Sequence, residues 1–211
     1  MKLLLIAAIA ITPLLAKDNE PTKRLNDATA VFTEIMAAPD KGIPQELLDK
    51  AKCVVVIPGM KKVGFIFGAK YGSGFAACRR TGNLGWSAPA ALRVEGGGVG
   101  FQIGASETDI VLLVMNDGGM RHLLADKFTI GGEATAAAGP LGRDATAQTD
   151  AMMHAEMLSY SRSRGLFAGI SLEGATLRPD ADANRDLDGR TITNRQALTG
   201  RVKTPAAAQR Y

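Results

Sequence analysis

The stretch Val63-Gly-Phe-Ile-Phe-Gly-Ala-Lys-Tyr-Gly-Ser-Gly74 sets glycine at positions 64, 68, 72 and 74. In an extended chain residues two apart share a face, so these glycines fall together while Val63, Phe65, Phe67, Ala69 and Tyr71 face the other way. The pattern recurs with Gly98, Gly100 and Gly104 opposite Val99, Phe101, Ile103 and Ala105. It recurs again with Gly165, Gly169 and Ser171 opposite Leu166, Ala168, Ile170 and Leu172. Glycine weakens a strand, so a face paved with it implies tight curvature, or close approach by another backbone or a ligand. We read these stretches as parts of a strongly curled antiparallel sheet or small barrel.

Working outward, residues 21–38 repeat Leu25, Ala28, Phe32, Ile35 and Met36 at helical spacing, which predicts an amphipathic helix. A short helix over 45–51 follows Pro44. Strands are predicted at 53–57, 63–71, 74–79, 86–94, 99–106 and 109–115, with turns at Pro58-Gly59 and Thr81-Gly82-Asn83. A helix over 117–126 precedes strands at 128–138, 157–163 and 166–177. Helical signals then return: Asp180 and Gly189 bracket one segment, Thr193 and Gln196 form a capping box, and Gly200 is a stop. The fold class is α+β, a curled antiparallel sheet approaching a barrel with amphipathic helices before and after it.

Several runs carry a family resemblance: Gly72-Ser-Gly-Phe, Gly85-Trp-Ser-Ala-Pro-Ala, Gly98-Val-Gly-Phe-Gln-Ile-Gly, Ala138-Gly-Pro-Leu-Gly-Arg and the segment from Tyr160 to Gly174. From about Arg24 to about Val202 the chain resembles the SYLF, or Ysc84-like, family. That family takes in bacterial secreted proteins and lipid-binding domains of eukaryotic endocytic and actin-linked adaptors. The resemblance implies binding to membrane lipid.

The chain opens with Lys2, an apolar run from Leu3 to Ile11, Pro13, and Leu14-Leu15-Ala16 before Lys17. This order describes a secretory signal peptide over residues 1–16, too short for the ~20 residues of a membrane span. The organisation expected beyond it is a helical segment at 17–51, a β-rich domain with C-terminal helices at 52–203 and a loose tail at 204–211. Charge is uneven. Residues 51–100 carry Lys52, Lys61, Lys62, Lys70, Arg79, Arg80 and Arg93 against Glu95 alone, which suggests a basic face for an anionic partner. Cys53 and Cys78 permit a disulfide in an oxidising compartment; two buried thiols acting as small apolar residues is the other reading.

Catalytic and cofactor motifs do not assemble. Gly72-Ser-Gly-Phe-Ala-Ala matches a dinucleotide turn, but a hairpin pattern follows it where a helix is required. His122 and His154 have no nucleophile at motif spacing, and with the two cysteines they lack zinc spacing. The run from Asn184 resembles the start of a calcium loop, yet Arg195 stands where the bidentate glutamate belongs. No metal or cofactor is therefore expected, and no groove-reading motif points to nucleic acid.

The function read from the sequence is non-enzymatic binding of anionic lipid, or phosphoinositide-like head groups, in the bacterial envelope. The alternatives are a scaffold that docks a protein partner and, more remotely, a hydrolase with an unfamiliar site. The expected lipid contacts are Lys23, Arg24, Leu25, Phe32, Ile35 and Met36 on the first helix, with Lys61, Lys62, Lys70, Arg79 and Arg80 as the basic patch. Export is testable directly. The mature protein is expected to begin near Lys17 by mass spectrometry of the envelope fraction, and an intact Met1 species in the cytoplasm would contradict it.

Overall fold

Cys53-Val-Val-Val-Ile57 is apolar at every position, which suits a strand packed on both faces. Such is its place in the computed structural model, which describes residues 20–37, 42–64, 67–99, 104–142, 154–163 and 166–209. The predicted leader lies outside these residues, as do Phe65, Gly100, Phe101, Ile103 and Gly165 of the glycine stretches. Strand β1 (Cys53–Gly64) lies between β2 (Phe67–Cys78) and β4 (Gly104–Val114), and β3 (Ala90–Val99) lies beyond β2. The order continues beyond β3 through β9 (Ala175–Pro179) to β5 (Phe128–Thr129), and beyond β4 through β7 (Met157–Ser163) to β6 (Ala136–Ala138). Strand β8 (Leu166–Gly169) also pairs with β7. All pairs are antiparallel except β6 with β7.

Alternation along β1 splits the core. Cys53, Val55 and Ile57 face inward, against Leu92, Ile110, Leu112, Leu172 and Leu177, so the curled sheet closes on itself as a half-barrel. Val54 and Val56 face outward, against Leu25, Ala28, Val31 and Ile35 of α1 (Glu20–Met36). The five-residue turn of helix α5 (Asn194–Leu198) starts at the Thr193–Gln196 capping box, and α4 (Ala181–Asp188) is capped by Asp180 and ended by Gly189 in the left-handed conformation. Short helices α2 (Gln45–Lys50) and α3 (Asp117–Leu123) complete the fold, the latter capped by Asn116.

Four expectations change. Pro58-Gly59 is not a hairpin turn: β1 runs through it with one extra residue relative to both neighbours, a bulge that tolerates proline and places Gly59 at φ 57°. The strands predicted at 63–71 and 74–79 consequently become the far end of β1 and one continuous β2. The long strands predicted at 128–138 and 166–177 are each broken by a left-handed glycine, Gly131 at φ 83° and Gly174 at φ 76°. The tail is packed at least as far as Ala208, which is buried beside α1 in a 3-10 turn.

Polar bonds tie the C-terminal helices to β3. Asn184 Oδ1 accepts from Ala91 N–H at 2.7 Å, Asn194 Nδ2 donates to Ala91 O at 3.0 Å, and the two buried amides bond each other. The calcium-like run is thus engaged structurally, since Asp180 also holds Arg93 through two bonds of 2.8 and 2.9 Å. Burial pushes the Asp180 carboxyl up, but Arg93 and the Ala183 N–H outweigh it and hold the group below its ordinary value. Cys53 and Cys78 are register partners across β1 and β2, fully buried and joined by an S–S bond.

The glycines of β2 allow close approach. A Cβ on Gly74 would lie 2.1 Å from the Val56 carbonyl oxygen, against backbone rather than a movable side chain. Gly74→Ala is therefore expected to cost at least the ~1–3 kcal/mol of an overpacked core, read as a lower urea midpoint. An unchanged midpoint would show that β2 does not sit this close to β1.

Candidate functional site: a glycine-paved face carrying two lysines

The bulge at Pro58-Gly59 decides which side chains line the inner face beyond it. Before it the odd residues of β1 face inward; after it Met60 joins Ile57 in the inner core, so Lys62 turns inward and Lys61 outward. In register with Lys62 stand Lys70 on β2 and Ser106 on β4, and Lys70 pairs on its other side with Gly96 of β3. The next inward row is glycine in all four strands: Gly98, Gly68, Gly64 and Gly104. Toward the core, Gly72 lies against Ile57 and Met60.

Two ammonium groups thus face each other across neighbouring strands, above a floor that is mostly bare backbone. Like charges directly opposite are destabilising. Burial and then the Lys70 charge push Lys62 below the ordinary lysine value. The Lys70 Nζ donates to the Glu173 carbonyl at 3.4 Å, and neither lysine forms an ion pair among the described residues.

The remaining predicted contacts do not gather into one patch. Lys23, Arg24 and Lys61 line a cleft of about 620 Å³ between α1 and the outer face of β1 to β4, where Glu20, Asp27, Glu95, Glu107 and Asp109 answer them. Arg24 pairs with Glu20 at 3.3 Å, and Lys61 stands opposite Glu107. In the same cleft Arg162 bonds Asp109 at 2.7 Å and also pairs with Glu34, fastening α1 to the sheet. Burial pushes Asp109 above its ordinary value despite the Gly59 N–H that bonds it at 2.8 Å. Arg79 and Arg80 lie at the opposite end of β2, about 30 Å along the strand from Lys70. Arg79 donates to the carbonyls of Ala51 at 3.1 Å and Leu48 at 2.9 Å and stacks 4.7 Å from the Trp86 ring centroid. Arg80 is exposed in the loop beyond it.

The helix contacts also need correction. Leu25 and Ile35 are 1% and 2% exposed, packed on the sheet, so they are unavailable for membrane insertion while α1 is docked. Their helical spacing reads equally as a core stripe, and the sheet supplies the apolar surface that claims it. Phe32 is half-buried and Met36 exposed. Exposed Leu84 and Trp86, in the loop between β2 and β3, were not anticipated as site residues. Their only signal was apolar character beside turn residues.

The geometry defines a curled-sheet domain with two lysines in register beside a row of glycines. Sequence comparison places it further: the family model described as Ysc84, Las17-binding protein actin regulator, matches residues 95–211, and the chain belongs to that family. It is 37% identical to Protein YSC84 of Saccharomyces cerevisiae, over 80% of this chain and 36% of that protein. It is 36% identical to the human SH3 domain-containing YSC84-like protein 1, over 84% of this chain and 52% of that protein. LAS seventeen-binding protein 3 of S. cerevisiae is likewise 36% identical over 80% of this chain. The chain spans roughly a third to a half of the length of these relatives.

The lysine row has a measurable cost. Lys70→Met is expected to raise unfolding free energy near neutral pH by about 0.2–1 kcal/mol, the size of a cross-strand pair. Because Lys62 is lowered in the folded state, the folded protein releases that proton first, and wild-type stability rises with pH below the ordinary lysine value. The advantage of Lys70→Met therefore shrinks as pH climbs. Destabilisation by the variant at neutral pH would contradict the repulsion.

Proposed function

We propose that this domain is a non-enzymatic lipid-binding module, taking the anionic head groups of membrane lipids, phosphoinositide-like ones included, at the Lys62–Lys70 row. The observation that carries the reading is a pair of in-register lysines with no carboxylate partner among the described residues, next to a row of glycines in four neighbouring strands. A phosphate there relieves the repulsion and accepts charge-assisted hydrogen bonds from both ammonium groups. Membership of the Ysc84 family supports it. With the secretory leader read from residues 1–16, we place the protein in the envelope, peripheral to a membrane.

A second reading is a scaffold that docks a protein. It is supported by the description of the family as Las17-binding.

Co-sedimentation with anionic and neutral liposomes separates the two. Each cation near an anionic surface contributes about 1 kcal/mol, so Lys62→Glu with Lys70→Glu is expected to weaken binding by more than tenfold. Lys61→Glu, on the opposite face beside Glu107, is expected to change it far less. Trp86 fluorescence checks that the variants stay folded. Equal losses from Lys61→Glu and the double variant would reduce the row to general surface charge. No binding of wild type to any anionic vesicle leaves the scaffold reading in front.

A further inference from the structure

Along the other flank of α1 runs a groove of about 250 Å³ whose walls are Phe32, Val54, Val56, Ala77 and Trp86. Thr29 and Thr33 also border it, but their hydroxyls donate within the helix, to Leu25 O at 2.9 Å and Thr29 O at 2.8 Å. The lining therefore makes little demand for water. Val54, Val56 and Ala77 are outer-face sheet residues at the edge of the surface that α1 covers. The volume falls below the ~300–1,000 Å³ of pockets for compact drug-sized ligands, which suits a slim chain. A cation stands beside the groove. Arg79 stacks on Trp86, gives Nε and Nη2 to backbone carbonyls and lies 4.0 Å from the exposed Asp49 carboxylate, while Nη1 makes no bond among the described residues.

We propose that this groove binds the aliphatic chain of a single-chain anionic amphiphile of the fatty acid class, with its carboxylate at Arg79. The apolar walls match the chain and the guanidinium matches the head, so body and end are both complementary. The site lies on the opposite face of the sheet from Lys62 and Lys70 and about 20–30 Å along the strands from them, so it does not rest on the head-group reading.

Trp86 is the only tryptophan, which makes it a direct reporter. Decanoate titrated below its micelle concentration is expected to shift Trp86 emission saturably, whereas decyltrimethylammonium is not. Thr33→Phe, at an exposed helix position on the rim, is expected to block the groove and weaken decanoate at least tenfold without lowering the melting temperature. Arg79→Gln is expected to erase the preference for decanoate over the cationic amphiphile. The Lys62→Glu with Lys70→Glu variant is expected to bind decanoate as wild type does, and its failure to do so would tie the two sites together and overturn their independence. A linear, unsaturable response, an undiminished response in Thr33→Phe, or equal responses to the two amphiphiles overturns the proposal.

Discussion

One extra residue in β1 controls what the rest of the sheet presents. At Pro58-Gly59 the chain slips by one position against both β2 and β4, with Gly59 in a left-handed conformation and its N–H bonded to Asp109. Because side chains alternate with period two, the slip exchanges the faces of every residue beyond it. Lys62 comes to lie over the inner face in register with Lys70, while Lys61 goes out to Glu107. A regular strand would have placed Lys61 and Val63 inward instead, and the two lysines would not meet on one face.

The glycines on either side of that row answer to two different constraints. Gly72 and Gly74 are filled by the protein itself, since a Cβ at either would run into Ile57, Met60 or the Val56 carbonyl. Gly96 is similar, with the Gly174 carbonyl 2.7 Å from where its Cβ would lie. The outermost row, Gly98, Gly68, Gly64 and Gly104, gives the lysines no side-chain neighbours in the next row to pair with. Close self-packing and a row without side chains therefore coexist on one face, a few residues apart. A domain that holds like charges together at such a place accepts a stability cost, as binding sites commonly do.

Much of the outline was legible in the residues, because the signals were local. Asp180, Gly189 and the Thr193–Gln196 box announce helix ends through their own backbone bonds, and the Leu25 to Met36 periodicity announces α1. Non-local facts were not legible. Pro58-Gly59 has turn chemistry, and only pairing with β4 shows it to be a bulge. Lys61, Lys62 and Lys70 look like one patch in the sequence, yet register divides them between faces. Leu25 and Ile35 carry the same pattern whether a helix meets a membrane or a sheet, and Arg79 looks like surface charge although carbonyls of Leu48 and Ala51 hold it.

The most direct test of the account is the titration of the Lys62 side chain by NMR, free and with vesicles containing anionic lipid. The account predicts a value below that of an ordinary lysine in the free protein, rising when anionic vesicles are added and unmoved by neutral ones. An ordinary value in the free protein, or one indifferent to anionic lipid, would contradict the claim that this row is held ready for an anion.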